Sequence, residues 1–330
     1  MTRLLVAGLG LIGARHARVV LDHHGATLAC VVEPDVTRRA EFDLPGFDRL
    51  EAVDVPVDGA ILATPSGLHA DHAVTALQRG WPCLVEKPIA SNRDGAARIV
   101  AASKATGLPV LTGHHRRYHG SVRRLHDLIG EGGIGRPVAA TAIWAMKKPD
   151  AYFDVPWRAG PDGSPVRINM VHEIDLLRFL LGEVEAVTAL GAQPVRRAGR
   201  VENGAISLRF QNGCTAALVF ADSALSPWGF EAGTGENPNI GTTGQDYLFI
   251  AGTEGAVSFP SMTVWGGAED WGQAVTATSH KVGASDALKG QLDHFLDVIA
   301  GRAEPLIDAE DASRTLEVVL EIESALEATA

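Results

Sequence analysis

Three closely spaced glycines near the start of the chain constrain its fold more than any other feature. Gly8, Gly10 and Gly13 follow a short apolar run, Arg3 to Ala7, and precede a helix-like segment, Ala14 to Leu21. In a strand, turn and helix of this kind, the first glycine permits a tight turn, the second lets a phosphate approach the backbone, and the third allows helix and strand to pack closely. The pattern predicts a nucleotide-binding turn.

The residues on either side of this turn specify the nucleotide. The helix start offers the backbone N–H groups of Leu11 and Ile12 to a pyrophosphate. A second apolar run ends in Glu33, twenty residues after the last glycine. A carboxylate there accepts hydrogen bonds from the adenosine ribose hydroxyls and repels a 2′-phosphate. The sequence therefore predicts NAD, with NADP as the alternative because Arg38 or Arg39 would be able to hold a 2′-phosphate.

Length, charge and cysteine content exclude several classes of protein. At 330 residues the chain is long enough for two domains, each with its own core. A formal net charge of -11 argues against nucleic acid and an anionic membrane surface as partners. No signal peptide or membrane span is evident. Cys30, Cys83 and Cys214 stand far apart without metal-ligand spacing, which favours free thiols and predicts a cytoplasmic protein.

Strand-like and helix-like segments alternate through the first third of the chain. After Glu33 the pattern predicts, in order, strand Asp58 to Ala63, helix His69 to Gln78, strand Pro82 to Val85, helix Ser91 to Thr106 and strand Pro109 to Thr112. Ser91 is the predicted N-cap of the second helix. Such alternation requires a parallel sheet covered by helices on both faces. We predict a doubly wound α/β domain over residues 1–118.

The rest of the chain, residues 119–330, predicts an α+β domain built on an open, mainly antiparallel sheet. The pair Asn212-Gly213 is the strongest hairpin signal, and a second hairpin surrounds Gly252 to Gly255. Helices are predicted near Val166 to Leu181, Ser285 to Ile299 and Ala309 to Leu326. The long stretch Trp228 to Gln245 is a candidate lid or subunit arm.

Five motifs occur along the chain in one order. They are the glycine turn, Ala63-Thr64-Pro65-Ser66-Gly67-Leu68-His69, Glu86-Lys87-Pro88, Gly113-His114-His115-Arg116-Arg117-Tyr118 and His172-Glu173-Ile174-Asp175. In this set and order the chain resembles the Gfo/Idh/MocA oxidoreductases. The resemblance implies an N-terminal Rossmann domain and a C-terminal α/β domain whose open sheet often forms a subunit interface. It also implies NAD(P)-linked chemistry on sugars, polyols or related alcohols.

The resemblance assigns roles to individual residues. Lys87 matches the family lysine that binds the substrate hydroxyl and takes part in proton transfer, and Glu86 shapes its loop. Thr64, Pro65 and His69, together with this pair, would line the cofactor. An alcohol releases hydride only as its proton leaves, so the reaction needs a base whose pKa is moved toward neutrality. Desolvation and the positive nicotinamide would move the pKa of the lysine in this direction.

A second candidate base, His172, lies on a predicted helix. Asp175 shares its helical face and would orient the histidine, bind a substrate hydroxyl or interact with Arg178. Many family members carry an aspartate four residues before this histidine, where the present chain has Ile168. The neighbouring Asn169 cannot act as a base and would supply a hydrogen bond to substrate or a helix cap. This departure leaves the lysine and the histidine as the candidates for proton transfer.

Two basic clusters bear on the substrate. The first contains His114, His115, Arg116 and Arg117, and the second contains Lys147, Lys148 and Arg158 among the aromatic residues Tyr152, Phe153 and Trp157. Arg116, Trp157 and Arg158 are predicted substrate contacts, since guanidinium groups pair with carboxylates in a forked geometry. An anionic substrate follows if the clusters converge on a cleft, and a solvated loop face is the alternative. We predict no metal because His114-His115 lacks a third ligand at suitable spacing.

These features predict a two-domain NAD-dependent dehydrogenase or reductase. It would act on a CH–OH group of a sugar, polyol, sugar acid or cyclic alcohol, as a homodimer or homotetramer. Two alternatives stay open: a glycosidase that uses NAD in a transient oxidation and re-reduction, and a nucleotide-sensing regulatory protein with a degenerate site. Lys87 and His172 argue against the regulator, whereas Ile168 argues for it.

Overall fold

The structure, a computed structural model, describes residues 1–160, 163–196, 200–280, 282–283 and 285–328, and of Trp157 the backbone alone. It divides into two compact units, Met1–Tyr118 with Ala287–Glu317 and His119–Asp286 with Val318–Ala330. The first break falls at Tyr118, where the sequence pattern changes. The sequence predicts a single division of the chain, after residue 118. The structure differs from this prediction, because residues 287–317 belong to the first unit.

The first unit contains a six-stranded sheet. Its strands are β1 (Thr2–Ala7), β2 (Ala26–Val32), β3 (Gly46–Phe47), β4 (Gly59–Leu62), β5 (Cys83–Val85) and β6 (Val110–Thr112). Their order is β3-β2-β1-β4-β5-β6, and each neighbouring pair is parallel. The predicted doubly wound sheet is therefore confirmed. The strand order reverses between β1 and β4, which is where open α/β sheets bind their ligands.

Each predicted helix has a counterpart among the described residues, which also contain four α-helices that were not predicted. In chain order the helices are α1 (Leu11–Leu21), α2 (Val36–Arg39), α3 (His69–Gln78), α4 (Arg93–Thr106), α5 (Gly120–Gly130), α6 (Pro156–Ala159), α7 (Val171–Leu181), α8 (Phe230–Thr234), α9 (Ala287–Ile299) and α10 (Ala309–Glu327). Helix α4 starts later than predicted. Its cap is Asn92 and not Ser91, because Asn92 Oδ1 accepts a hydrogen bond from the Gly95 N–H at 2.8 Å.

Helix α9 explains why a late segment of the chain belongs to the first unit. Its side chains Leu292, Phe295 and Leu296 lie in the same hydrophobic cluster as Leu4 of β1 and Ala17 of α1. Removing these apolar surfaces from water stabilises the packing of α9 in this unit. The sequence pattern identifies a helix with an apolar face, but it does not identify the surface that this face covers.

The second unit contains an eight-stranded sheet. Its strands are β7 (Pro137–Ala145), β8 (Val184–Gly191), β9 (Asn203–Phe210), β10 (Thr215–Ala221), β11 (Leu248–Gly252), β12 (Gly255–Phe259), β13 (Thr263–Gly266) and β14 (Thr276–Ser279). Their order is β14-β13-β12-β11-β7-β10-β9-β8. Strands β7 and β10 pair in parallel, and the other neighbouring pairs are antiparallel. This confirms the mainly antiparallel sheet and both predicted hairpins.

Strands β13 and β14 and the structure of residues 228–245 were not predicted. Strand β14 is exposed along its whole length and therefore lacks the apolar alternation that identifies a strand. Within residues 228–245, the candidate lid or arm, α8 places Phe230 in the core with no exposed surface. The Phe230 ring stacks on Phe259 with centroids 5.9 Å apart. This segment is thus anchored in its own unit through α8.

Candidate active site

The glycine turn follows β1 at the carboxyl edge of the parallel sheet. Gly8 has φ of +84°, and a Cβ there would lie 2.5 Å from the carbonyl oxygen of Ala63. A Cβ at Gly13 would lie 1.8 Å from the carbonyl oxygen of Gly8, so both positions require glycine. Gly10 differs, because a Cβ there would meet no heavy atom within 4 Å. The backbone at Gly10 therefore faces the open space that a phosphate needs.

Helix α1 begins at this turn. Gly10 is its N-cap, with no side-chain capping bond and no acidic residue in the first turn. The Ala14 N–H donates to the carbonyl oxygen of Gly10 at 2.9 Å. The earlier amides, those of Leu11, Ile12 and Gly13, belong to the part of a helix that has no intrahelical acceptor. Together with the helix dipole, these amides fit an anionic group such as a pyrophosphate.

Glu33 is buried immediately after β2, beside the glycine turn. Its Oε2 accepts a hydrogen bond from the Leu9 N–H at 2.7 Å, and its Oε1 accepts one from the Asp35 N–H at 3.2 Å. The Arg39 guanidinium donates to the backbone carbonyls of Glu33 and Pro34. The other lone pairs of the carboxylate suit ribose hydroxyls. The turn, the helix start and Glu33 together fit a dinucleotide.

Thr64, Pro65 and His69 follow β4. Thr64 is half-buried and Pro65 is exposed, whereas His69 is buried. The ring nitrogens of His69 lie 2.8 Å from the carbonyl oxygens of Pro88 and Thr64. Burial lowers the pKa of His69, and its hydrogen bonds to these two carbonyls oppose that change. His69 therefore cross-links the loop after β4 to the loop after β5.

Glu86 and Lys87 follow β5. Glu86 is buried, and its Oε1 lies 2.9 Å from Nε2 of His16 on α1. Its Oε2 accepts a hydrogen bond from the Lys87 N–H at 3.1 Å. Gly113 leaves room for this carboxylate, since a Cβ there would lie 2.7 Å from Cδ of Glu86. Lys87 is half-buried, and its peptide bond to Pro88 is cis.

The environment of Glu86 keeps this residue ionised. Burial by itself raises the pKa of a carboxyl group, but here other contributions outweigh it. The hydrogen bond and charge of His16, with the charges of His115 and Lys87, lower the pKa of Glu86 to about 2. A carboxylate accepts hydrogen bonds and cannot donate them, so Nε2 of His16 carries the shared proton. A buried anion therefore stands directly before Lys87 in the chain.

The contact of His16 with Glu86 is a feature of the candidate site that the sequence did not reveal. His16 lies on the buried face of α1 beside Ala17. From sequence alone, a histidine on such a face looks like a packed core residue. Its contact with Glu86 spans 70 residues of sequence, and the strand order of the sheet brings the two together.

The first basic cluster is buried. His114, His115, Arg116 and Arg117 all have buried side chains. Arg117 forms an ion pair with Asp311 at 2.7 Å. The alternative interpretation, that this cluster is a solvated loop face, is therefore wrong. Arg116, a predicted substrate contact, is 2% exposed and lies in the protein interior.

The second basic cluster is arranged around Tyr152. Nζ of Lys148 lies 4.9 Å from the centre of the Tyr152 ring, and the guanidinium carbon of Arg158 lies 4.5 Å from it. Lys148 also lies 3.8 Å from the buried carboxylate of Asp222. Trp157 lies on α6, but its side chain is outside the described part of the chain. Aromatic and ionic contacts thus order Lys148 and Arg158.

A π-helical turn over Val166–Met170 precedes the helix that carries His172. Such turns are rare and often mark functional sites. Asn169 lies inside this turn and not at the helix start, and its Oδ1 is buried without a hydrogen-bond partner. His172 and Asp175 are both buried on α7. Ile168, which stands where many family members have an aspartate, lies in the same turn.

The described residues contain no group of three His, Cys, Asp or Glu side chains that would hold a metal, and no helix long and apolar enough to cross a membrane. Their free cysteines, Cys30, Cys83 and Cys214, are all buried.

The parallel strand order, the open glycine turn and Glu33 beside it define a dinucleotide-binding domain of the Rossmann type. A family model described as an oxidoreductase family with an NAD-binding Rossmann fold matches residues 2–114. The model of the GFO/IDH/MocA C-terminal domain matches residues 122–258. The chain belongs to the Gfo/Idh/MocA oxidoreductase family, and its first unit is an NAD-binding domain.

Several known proteins are similar to this chain. The inositol 2-dehydrogenase of Mycolicibacterium gilvum is 31% identical over 191 residues, which cover 55% of this chain and 52% of that enzyme. The 2,7-anhydro-N-acetylneuraminate hydratase of Escherichia coli is 26% identical over 308 residues, covering 88% of this chain and 77% of that enzyme. The chain spans about half the length of the inositol 2-dehydrogenase that it matches.

The fold also matches solved structures. The WlbA dehydrogenase of Bordetella pertussis, in complex with NADH and UDP-GlcNAcA, superposes with a TM-score of 0.79 at 22% identity. The superposition covers 100% of this chain and 97% of that one. At this identity the likeness shows the fold.

Proposed function

We propose that this protein is an NAD-dependent oxidoreductase that transfers hydride between nicotinamide and a secondary alcohol or carbonyl group. The observation that carries the proposal is the position of Lys87. It follows the buried Glu86 carboxylate at the carboxyl end of β5, on the sheet edge that also holds the glycine turn and Glu33. Parallel strands end together at this edge, so residues that follow neighbouring strands, such as Lys87 and Glu33, would both be able to contact a dinucleotide.

The proposed substrate is a sugar, polyol, sugar acid or cyclic alcohol. Support comes from the printed activity of the M. gilvum relative, an inositol 2-dehydrogenase, since inositol is a cyclic polyol. The UDP-GlcNAcA bound to the WlbA dehydrogenase is an anionic sugar derivative. We extend this to an anionic substrate because Arg158 is held in an ordered basic cluster, and guanidinium groups recognise carboxylates.

The proposed chemistry divides between the cofactor and the chain. Bound NAD supplies a hydride acceptor, and NADH a hydride donor. The amides after Gly10 would hold the pyrophosphate, and Glu33 would hold the ribose. Lys87 binds the substrate hydroxyl and, as the neutral amine, accepts the hydroxyl proton as the carbon is oxidised; in the reverse direction its ammonium returns the proton. Glu86 holds the backbone of Lys87 in place.

His172 is the second proposed proton-transfer residue. It lies on α7 in the second unit, next to the π-helical turn. Asn169 in that turn is proposed to accept a hydrogen bond from a substrate hydroxyl through its unpartnered Oδ1. Asp175, on the same helix, is proposed as a further hydroxyl acceptor. Ile168 has no group that accepts a proton, so the lysine and the histidine carry this task.

A screen of polyols, sugar acids, sugars and cyclic alcohols tests the proposal by absorbance of reduced nicotinamide. With a substrate in hand, Lys87→Ala should lower kcat about 100-fold or more, the range expected for a general base, and leave NADH binding almost unchanged. The matched control is Lys104→Ala, which removes an exposed lysine that pairs with Glu310 on the surface. His172→Asn, measured in parallel, tests the histidine. Full activity of Lys87→Ala would refute the role given to Lys87.

A second candidate is an enzyme that uses NAD in a transient oxidation and re-reduction, such as a glycosidase. The observation that favours it is the similarity to the E. coli 2,7-anhydro-N-acetylneuraminate hydratase, which extends over 88% of this chain and whose name implies no net oxidation. Such an enzyme would convert substrate with no net change in reduced nicotinamide absorbance. A regulatory protein, in contrast, would bind NAD and convert no member of the panel.

We also propose that the protein forms a homo-oligomer through the open face of its eight-stranded sheet. Val219, Phe249 and Trp265 lie on one face of the sheet and are 47%, 43% and 39% exposed. Apolar side chains grouped on an exposed face are typical of a subunit interface. Replacing Val219 and Phe249 with Lys should yield a smaller species in sedimentation. Val195→Lys, at an exposed residue outside the strands, is the control.

The buried free cysteines support a reducing compartment such as the cytoplasm.

A further inference from the structure

A buried chain of hydrogen bonds links α1 to the loop that carries Lys87. His16 lies on α1, the helix that begins at the glycine turn, and is 3% exposed. Its Nε2 lies 2.9 Å from one carboxylate oxygen of Glu86, and the other oxygen accepts the Lys87 N–H at 3.1 Å. All three residues belong to the first unit.

The Glu86 carboxylate is confined from several sides. A Cβ on Gly113 would lie 2.7 Å from its Cδ, so the backbone at Gly113 closes one wall of the space it occupies. His16 supplies a donor from the neighbouring helix. A buried carboxylate that loses a donor must find a new partner or move, because an unsatisfied buried charge is costly. The orientation of Glu86 therefore depends on His16.

We infer that His16 is a positioning residue for the proposed reaction: it orients Glu86 and, through Glu86, sets the backbone of Lys87 relative to the dinucleotide-binding helix. The inference rests on the proposed role of Lys87. His16 acts through Glu86 and touches no reacting atom. Its effect on rate follows from geometry, since misplacing a reacting group by about 1 Å costs roughly 100-fold in rate.

This role differs from that of a packed core histidine in one measurable respect. If His16 were only a core residue, an apolar side chain of similar size would replace it without effect on Lys87. A positioning residue, in contrast, must donate an N–H. His16→Leu keeps much of the volume and removes the donor. His16→Gln keeps a donor of similar reach and should restore what His16→Leu loses.

The matched control is His23→Leu. His23 follows the C-terminal end of α1 and bonds Asp293 at 2.7 Å, so this change also breaks a histidine–carboxylate contact in the first unit. Amide hydrogen exchange of residues 83–90 in the ligand-free protein reports on the Lys87 loop without any substrate. NADH binding, followed by fluorescence, and kcat and KM on the substrate found by the screen complete the measurements.

We expect His16→Leu to accelerate exchange in residues 83–90 about 10-fold or more, while residues 26–32 of β2 stay unchanged. We expect kcat to fall about 10- to 100-fold, with little change in the KM for NAD. His16→Gln should restore both quantities, and His23→Leu should alter neither. The inference is overturned if residues 83–90 of His16→Leu exchange at the wild-type rate. It is also overturned if His23→Leu changes their exchange to the same extent. A kcat that His16→Leu leaves unchanged also overturns it.

If His16→Leu does not fold, Gly113→Ala tests the same carboxylate, because its Cβ would lie 2.7 Å from Cδ of Glu86. It must then accelerate exchange in residues 83–90, and wild-type exchange in this variant overturns the inference. The exchange result is independent of catalysis. If exchange responds as expected but the wild-type protein converts no member of the panel, the proposed function fails while the control of the Lys87 loop by His16 stands.

Discussion

The carboxylate of Glu33 accepts a hydrogen bond from the backbone N–H of Leu9 at 2.7 Å, across a separation of 24 residues. This bond joins the end of β2 to the glycine turn, so the acceptor proposed for the ribose and the backbone proposed for the pyrophosphate are held together. Because Glu33 is buried, loss of its carboxylate would leave the Leu9 N–H without this acceptor.

Cofactor preference follows from this arrangement. Glu33→Gln removes the negative charge that repels a 2′-phosphate and keeps an oxygen acceptor. We expect NADH to bind roughly 10- to 100-fold more weakly, as for the loss of one charged hydrogen bond, and NADPH to bind more tightly than to the wild type. Fluorescence titration with both cofactors measures this, with exposed Glu41→Gln as the control. Tighter binding of NADPH than NADH by the wild type would contradict the assignment.

Two of the turn glycines, Gly10 and Gly13, should respond differently to a methyl group. Gly10→Ala places a Cβ in open space, so we expect a melting temperature close to that of the wild type and NADH binding about 10-fold weaker or more. Gly13→Ala places a Cβ 1.8 Å from the carbonyl oxygen of Gly8, so it should destabilise the fold by about 3 kcal/mol. Thermal unfolding and NADH titration separate the two effects. Equal loss of stability in both variants would count against the distinction.

Stability should depend on pH through Glu86. Its pKa is lowered from 4.5 to about 2, so its contribution to folding is fully present above 4.5 and is lost as the pH falls toward 2. We expect Glu86→Gln to be less stable than the wild type by about 3 kcal/mol at pH 7, with a difference that shrinks below pH 4.5. Urea unfolding from pH 7 to pH 3 measures it, and exposed Glu269→Gln is the control. A difference that grows on acidification would exclude this role.

The cysteines should be unreactive in the folded protein. Burial raises the pKa of Cys30 to about 11 and that of Cys83 to about 12, and it also raises the pKa of Cys214. The thiolate is the reactive form, so a thiol reagent at pH 8 should label the native protein far more slowly than the denatured one. Spectrophotometric thiol titration in buffer and in denaturant provides the comparison. Rapid labelling of one native thiol would disprove this expectation.

The sequence was sufficient for the parts of the fold and site that are contiguous in the chain. The spacing of Gly8, Gly10 and Gly13 after an apolar run determines a tight turn between a strand and a helix, because the requirements of that turn are local. The alternation of strands and helices determines the parallel sheet, and Asn212-Gly213 determines a hairpin, for the same reason.

The tertiary structure determined which residues from distant parts of the chain are in contact. Several features of the site and the fold depend on residues that lie far apart in the chain. They are the contact between His16 and Glu86, the space for this carboxylate beside Gly113, the burial of Arg116 and the packing of α9 in the first unit. Periodicity shows which face of an element is apolar, but strand order and side-chain packing determine which partner covers it. The triplet that contains Lys87 is therefore recognisable in the sequence, whereas the role proposed for His16 is recognisable only in the tertiary structure.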